Sequence, residues 1–393
     1  MRNATDFLRK EYEQMVKDEL DWRIKVLNSP TGPRAVVDGE EKIILCSNNY
    51  LDLGNDRRLK EAAKKAVDLY GAGSGSVRPI AGTMTIHREL EKKIALFKGR
   101  EDALYYQTGF AVNSGLIPQL VDQGDIVISD ELNHGSIIDG IRLSKADRSV
   151  YRHGSVYDFE DKIREADKKG YRRILVITDG VFSMDGDIAP VKEMVKLTGK
   201  YGAMLYVDDA HGEGVLGKGK GIGAHFNIEK QIDVEVGTFS KAFGVVGGLI
   251  AGSSDLIKFA YNKSRTWLLS GSAPPPTIAS CMEALNIIEK EPERVDKLWK
   301  NREQFMKGMR DLGFDTGNSQ TPIIPVMIGD SGKAKEFSEI LYKNGVFALP
   351  IVYPMVAKDK ARIRTIMNAG HTETDLIEAI NAFEKAGKQL NII

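Results

Sequence analysis

Cysteine is scarce in this sequence: Cys46 and Cys281 are the only two in 393 residues, far apart and without a CxxC pair. Neither a disulfide framework nor a cysteine-rich zinc site is expected from them. An excess of one charge is also missing, because Lys plus Arg and Asp plus Glu both number 55. That balance gives no support for a nucleic-acid partner or a polybasic hold on a membrane. No apolar run reaches the length of a bilayer span, so no membrane segment is predicted. The opening MRNATDFLRKEYEQMVKDELDW lacks the apolar stretch of a secretory signal, which makes the cytoplasm the expected compartment. No internal repeat, low-complexity tract or metal-ligand motif stands out.

What is present is ordinary for a globular protein, with 42% hydrophobic and 28% charged residues and enough length for two domains around a cleft. The first 25 or so residues read as a charged helix offering Phe7, Tyr12, Met15 and Leu20 for docking. A strand is predicted at 42–46 and helices at 57–70 and 87–98, the second placing Leu90, Ile94 and Phe97 on one face. Short apolar runs at 103–106, 125–129, 173–179, 203–209 and 233–239 then alternate with helical patterns at 111–121, 136–146, 157–169, 190–201 and 254–263. This alternation predicts an α/β/α layer with a mostly parallel sheet. Past residue 275 the pattern changes to a long helical region broken at Pro292, strands at 322–328, 346–349 and 362–367, and a last helix opened by the capping box Thr372-Glu-Thr-Asp375. The expected division is an N-terminal segment to residue 50, a large domain over 51–285 and a smaller C-terminal α/β domain over 286–393.

Two glycine-rich segments imitate nucleotide sites. Gly71-Ala-Gly73-Ser-Gly75 follows a helical pattern, whereas a dinucleotide fingerprint needs a strand before it. Gly212-Glu-Gly-Val-Leu-Gly217-Lys218 has Gly219 where a P-loop needs a hydroxyl for magnesium. Both read as turns.

The strongest chemical signal is Gly237-Thr-Phe-Ser-Lys241-Ala-Phe-Gly244, a lysine just past a strand among small and hydroxylated residues. Such a lysine can be partly desolvated and made nucleophilic, with Thr238 and Ser240 near a phosphate; the same pattern also suits a surface lysine beside a turn. Val207-Asp208-Asp209-Ala210-His211 ends another strand, where open α/β sheets place ligands. A buried Asp208 there can keep a pyridine nitrogen protonated. His134, after the 125–129 strand, can lie over an aromatic ring or simply pack. Of the other histidines, His87 begins a helix, His153 and His225 are expected to be exposed, and His371 precedes the last cap.

Taken in order, Asn48-Asn-Tyr-Leu51, Gly82-Thr-Met-Thr-Ile-His87-Arg-Glu-Leu90, Asn133-His134, Thr178-Asp-Gly-Val-Phe-Ser183-Met-Asp185-Gly186, Asp208-Asp-Ala-His211 and Gly237-Thr-Phe-Ser-Lys241 resemble the α-oxoamine synthases, enzymes of pyridoxal 5′-phosphate (PLP) fold type I. The resemblance spans roughly residues 40–385. It implies PLP carried as a Schiff base on Lys241, Asp208 at the pyridine nitrogen, His134 on the ring, and His211 and Ser183 near its phenolic oxygen. Thr108, Gly109, Phe110 and Thr238 would cradle the phosphate. A homodimer is implied, with Ser270 or Ser272 completing the partner's phosphate site. Asn48 and Arg364 would orient the substrate carboxylate, with Arg362 expected on the opposite strand face. Lys241, Asp208, His134 and His211 are the implied catalytic groups, in a reaction joining an amino acid to an acyl-CoA. Within the family the expected activity is glycine C-acetyltransferase, from glycine and acetyl-CoA. It rests on Ser76-Val-Arg78-Pro-Ile-Ala-Gly82-Thr83 and Ala361-Arg-Ile-Arg-Thr365. The alternatives are 8-amino-7-oxononanoate synthase, using a pimeloyl thioester and alanine, and a serine palmitoyltransferase-like activity. Phe239-Ser240 and Ala210-His211-Gly212 depart from the acetyltransferase pattern.

Overall fold

The computed structural model describes residues 4–393 apart from Glu19 and Arg23. The N-terminal helix runs over Asp6–Lys17, shorter than the 25 residues expected, part of which lie outside the described residues. It buries no side chain, and Phe7, Tyr12, Met15 and Leu20 are exposed. Strands β1 (Arg34–Val37) and β2 (Glu40–Ile44) then form a hairpin.

The main sheet contains β3 (Asp102–Tyr106), β4 (Ile126–Asp130), β5 (Asp147–Tyr151), β6 (Ile174–Asp179), β7 (Met204–Asp208), β8 (Val234–Thr238) and β9 (Gly248–Gly252). Their spatial order is β3-β9-β8-β7-β6-β4-β5, with only β9 antiparallel to its neighbours. Successive strand residues point to opposite faces. Ile174 and Val176 of β6 therefore join one buried cluster, while Leu175 and Ile177 join another on the other side. Helices cover both faces, so both sets stay dry and the strand reads as an unbroken apolar run.

Within this main sheet the sequence reading misses β5 and β9, for different reasons. On β5, an edge strand of sequence DRSVY, only Tyr151 is buried, so no apolar pattern marks it. On β9, GLIAG is entirely buried, but its glycines have weak strand preference. Gly248 is required by close approach: a Cβ there would stand 2.3 Å from the Thr108 carbonyl oxygen.

Strands β10 (Ile323–Gly329), β11 (Val346–Phe347), β12 (Pro350–Ile351) and β13 (Ala361–Ile366) follow the helices Pro275–Lys290 and Glu293–Asp311. β10, β13 and β12 form one antiparallel sheet, and β11 pairs parallel with β2. Residues 34–44 are thus hydrogen-bonded into the C-terminal part of the chain. Ile366 N–H to Leu45 O (2.7 Å) and Asn368 Nδ2 to Asn49 O (2.6 Å) continue this seam and bring Asn48 toward β13. The last helix, Glu373–Gln389, opens with the predicted box, Thr372 Oγ1 accepting from Asp375 N–H and Asp375 Oδ2 accepting from Thr372 N–H. Both glycine decoys are turns: a helix, Arg57–Tyr70, precedes Gly71, and Gly214, Gly217 and Gly219 have positive φ. Among the described residues no helix is long and apolar enough to cross a membrane.

Candidate active site

The carboxyl ends of β4, β6, β7 and β8 open on one side of the sheet. β4 lies where the strand order reverses, the usual place for a ligand in such sheets. Asp208 ends β7 and is buried. Its Oδ2 accepts from Asn113 Nδ2 at 2.7 Å and its Oδ1 from Ala210 N–H at 3.1 Å. Asn113 is fixed in turn by Tyr206 Oη, which donates to its Oδ1 at 2.6 Å, and it donates to Ser136 Oγ at 2.9 Å. Among the described residues no cation is ion-paired with Asp208. A buried carboxylate fixed by neutral donors still calls for a positive partner.

Lys241 lies just past β8; its carbonyl oxygen accepts from Gly244 N–H at 2.9 Å, while its Nζ makes no hydrogen bond or ion pair among the described residues. Burial lowers its pKa, against the opposing pull of Asp208 and Asp179, and Arg364 lowers it further. His134 caps the Gly135–Arg142 helix at the mouth of the cleft. Asp179 Oδ2 accepts from its backbone N–H at 2.7 Å, and its Nδ1 is 2.7 Å from Ser136 Oγ. Burial lowers the His134 pKa. Burial and the nearby Asp208 carboxylate push Asp179 well above the usual carboxylate range.

His211 is buried, with Nδ1 2.8 Å from Tyr50 Oη. Burial, with Lys241, Arg364 and His134 nearby, holds it well below the ordinary histidine range, so the imidazole is neutral. Burial also keeps Tyr50 a protonated phenol.

Thr108 is the N-cap of the Gly109–Leu120 helix, its Oγ1 accepting from Ala111 N–H at 3.0 Å. The first backbone N–H groups of a helix have no intrahelical acceptor and attract anions. Thr238 lies alongside, since a Cβ at Gly109 would be 3.6 Å from Thr238 Cβ. The Thr238 hydroxyl donates to Gly247 O at 2.7 Å and accepts from Ser240 N–H at 3.2 Å. Phe110 is exposed. Ser272 is buried with Oγ 3.0 Å from His87 Nε2, whereas Ser270 is exposed.

Arg364 on β13 donates to Ser183 O at 3.3 Å and has no carboxylate partner among the described residues. Arg362 pairs with Asp185 and donates to Met184 O at 3.1 Å. It was expected on the opposite face, but a period of two puts positions two apart on the same face, and both arginines reach the 183–185 turn. Asn48 Oδ1 is buried without a hydrogen-bond partner. Two histidine expectations separate here: His225 is exposed, but His153 is partly buried between Asp130 and Asp187. Asn113, Ser136, Asn133, Asp179 and Tyr50 received no role from sequence. Asn133, Asp179 and Tyr50 lie within the ordered motifs, but Asn113 and Ser136 carry no local signal.

These groups fit PLP. A helix start suits its phosphate, an unpaired buried carboxylate its pyridine nitrogen, and an unpaired, desolvated lysine its aldehyde. A family model for aminotransferase class I and II matches residues 40–383. The 8-amino-7-oxononanoate synthase of Thermoanaerobacter pseudethanolicus is 52% identical over 389 residues, 99% of this chain and 98% of its own. Bacillus subtilis 8-amino-7-oxononanoate synthase 1 is 49% identical over 395 residues, covering 100% of both chains. Serine palmitoyltransferase of Sphingomonas wittichii superposes with a TM-score of 0.93 at 30% identity, over 100% of this chain and 99% of that one.

The chain belongs to the PLP-dependent α-oxoamine synthases.

PLP is the cofactor of this enzyme, and its fold is PLP fold type I. The expected glycine C-acetyltransferase activity is overturned by the full-length relatives, which are 8-amino-7-oxononanoate synthases at about half identity. Two arginines of the motifs quoted for the acetyltransferase are held in ion pairs, Arg78 with Glu91 and Arg362 with Asp185, so those segments carry structural contacts.

Proposed function

We propose that this α-oxoamine synthase joins alanine to a pimeloyl thioester, as an 8-amino-7-oxononanoate synthase. The observation that carries the reading is the likeness along the whole chain to relatives of that name. The reading places the site between a large unit over 51–285, which carries Lys241 and Asp208, and a C-terminal unit over 286–393, which carries Arg364. In a homodimer, exposed Ser270 is the better candidate to reach a partner's phosphate, because Ser272 is engaged by His87.

PLP, when bound, supplies the electron sink for charge developing at the amino acid's α-carbon. Asp208 holds the positive charge of that sink in place, and Asn113 holds Asp208. Arg364 takes the amino acid's carboxylate through its planar fork, and Asn48 lies close by. Lys241 Nζ, with its pKa lowered by burial, accepts the α-proton and returns one. His134 and neutral His211 flank the reacting region, where His211 can share a proton with Tyr50. The new bond joins the α-carbon to the thioester carbonyl carbon, and the thiolate leaves. The product name is one carbon short of its two parts, so the amino acid's carboxyl carbon departs as carbon dioxide.

Thiol release measured across amino acids and acyl-CoAs tests the reading. With alanine and pimeloyl-CoA, kcat/KM should exceed that with glycine and acetyl-CoA by about 100-fold, the range open to a pocket that hosts one chain and excludes another. Equal turnover of the two pairs would overturn it.

A further inference from the structure

His153 lies behind the cleft, between β5 and the Val156–Lys169 helix. Its Nδ1 is 3.0 Å from Asp130 Oδ1, at the end of β4, and its Nε2 is 2.9 Å from Asp187 Oδ2. An ionised carboxylate only accepts hydrogen bonds, so a ring with a carboxylate on each nitrogen needs a proton on both. Burial opposes that charge, but hydrogen bonds and charge from the two aspartates outweigh it and hold the pKa at about 10. The remaining charged groups nearby are Glu131, which accepts from His153 N–H at 2.8 Å, and the outer Arg152–Asp158 pair. The ring also stands edge-on to Phe182, with centroids 4.4 Å apart.

Asp187 depends on this contact, because its other oxygen is buried without a partner. It closes the turn between the bridged residues Val181 and Ile188, and Phe182 N–H donates to Asp187 O at 3.0 Å. The tip of that turn is Ser183–Asp185, which Arg364 and Arg362 reach from β13. The turn is therefore held on one side by His153 and on the other by the arginines.

We propose that the His153 imidazolium is a positioning residue for amino-acid binding, fixing the 181–188 turn against β4 and thereby the place of Arg364. This rests on the reading of Arg364 as the carboxylate site. The test compares holoenzymes of the parent, His153→Gln, Asp187→Asn, their double variant and Arg364→Ala. Alanine affinity is titrated by absorbance of the bound cofactor, alongside PLP affinity and kcat. In His153→Gln the alanine Kd should rise about tenfold, with PLP affinity and kcat at saturating alanine within about threefold of the parent. Asp187→Asn should do the same, and the double variant should be no worse than the weaker-binding single one, because both remove one link. If His153→Gln does not fold, Asp187→Asn, which keeps the side chain's shape while removing its charge and one acceptor, decides. Unchanged alanine affinity in these variants while Arg364→Ala loses it would overturn the clamp alone, as would an equal loss of PLP affinity. Unchanged affinity in Arg364→Ala would overturn the carboxylate reading, and the clamp with it.

Discussion

Residue by residue, the cleft consists of charges separated by burial. Asp208 is buried among neutral donors, while Lys241 is pushed toward its free amine and His211 is kept neutral. Replacing Asp208 by Asn preserves its shape and removes the carboxylate that the proposed mechanism sets opposite the cofactor nitrogen. Exchange of the alanine α-hydrogen with deuterated solvent should then fall by about 100-fold or more, with the melting temperature little changed. Proton NMR of bound and free alanine measures this, and near-normal exchange would sink the role. Asp209 is no substitute, because it turns away from the cleft to accept from Ile222 N–H at 2.6 Å.

At the level of elements, the proposed phosphate cradle depends on how tightly β9 presses on the start of the Gly109–Leu120 helix. A Cβ on Gly248 would stand 2.3 Å from Thr108 O and 2.8 Å from Gly109 N, both backbone atoms that cannot rotate aside. Gly248→Ala should destabilise the protein by ~1–3 kcal/mol and weaken PLP binding as the helix start is displaced. Gly199→Ala is the control, since its Cβ would meet nothing within 4 Å on the helix Val191–Tyr201. Thermal melts and equilibrium dialysis against PLP separate the two effects, and a Gly248→Ala protein with unchanged PLP affinity would disprove the dependence. Elements of this kind were read from sequence with unequal success. The buried runs of β4, β6 and β7 are legible because both faces are largely apolar, and β8 through Val234 and Val236 although Glu235 is buried on its other face; polar β5 and glycine-rich β9 are not.

For the whole molecule, the seam between the N-terminal hairpin and the C-terminal part is pH-sensitive through His371. Its Nδ1 accepts from Asn368 N–H at 3.2 Å and its Nε2 is 3.1 Å from Ile44 O, so the ring is bonded in its neutral form. Burial lowers its pKa from 6.5 to about 4. Its contribution is complete above pH 6.5 and declines below it, because the unfolded chain takes up the proton first; the decline ends near pH 4. Between pH 7 and 5 the stability difference between the parent and His371→Gln should shrink by ~2 kcal/mol. Urea unfolding at each pH measures it, and a constant difference would show that His371 does not titrate as stated.

The sequence by itself determined the family, the cofactor and the mostly parallel sheet. Each rests on short segments, a strand end with its following loop, whose chemistry is complete within a few neighbouring residues. It also brought Lys241, Asp208, His134 and His211 into consideration together. Only the tertiary structure decided how they are held: Asn113 against Asp208, Tyr50 against His211, His153 between Asp130 and Asp187, and both arginines on one turn. It alone joined β2 to β11, some 300 residues apart. Contacts between distant segments depend on how the chain closes on itself, and no local pattern of residue types records that closure.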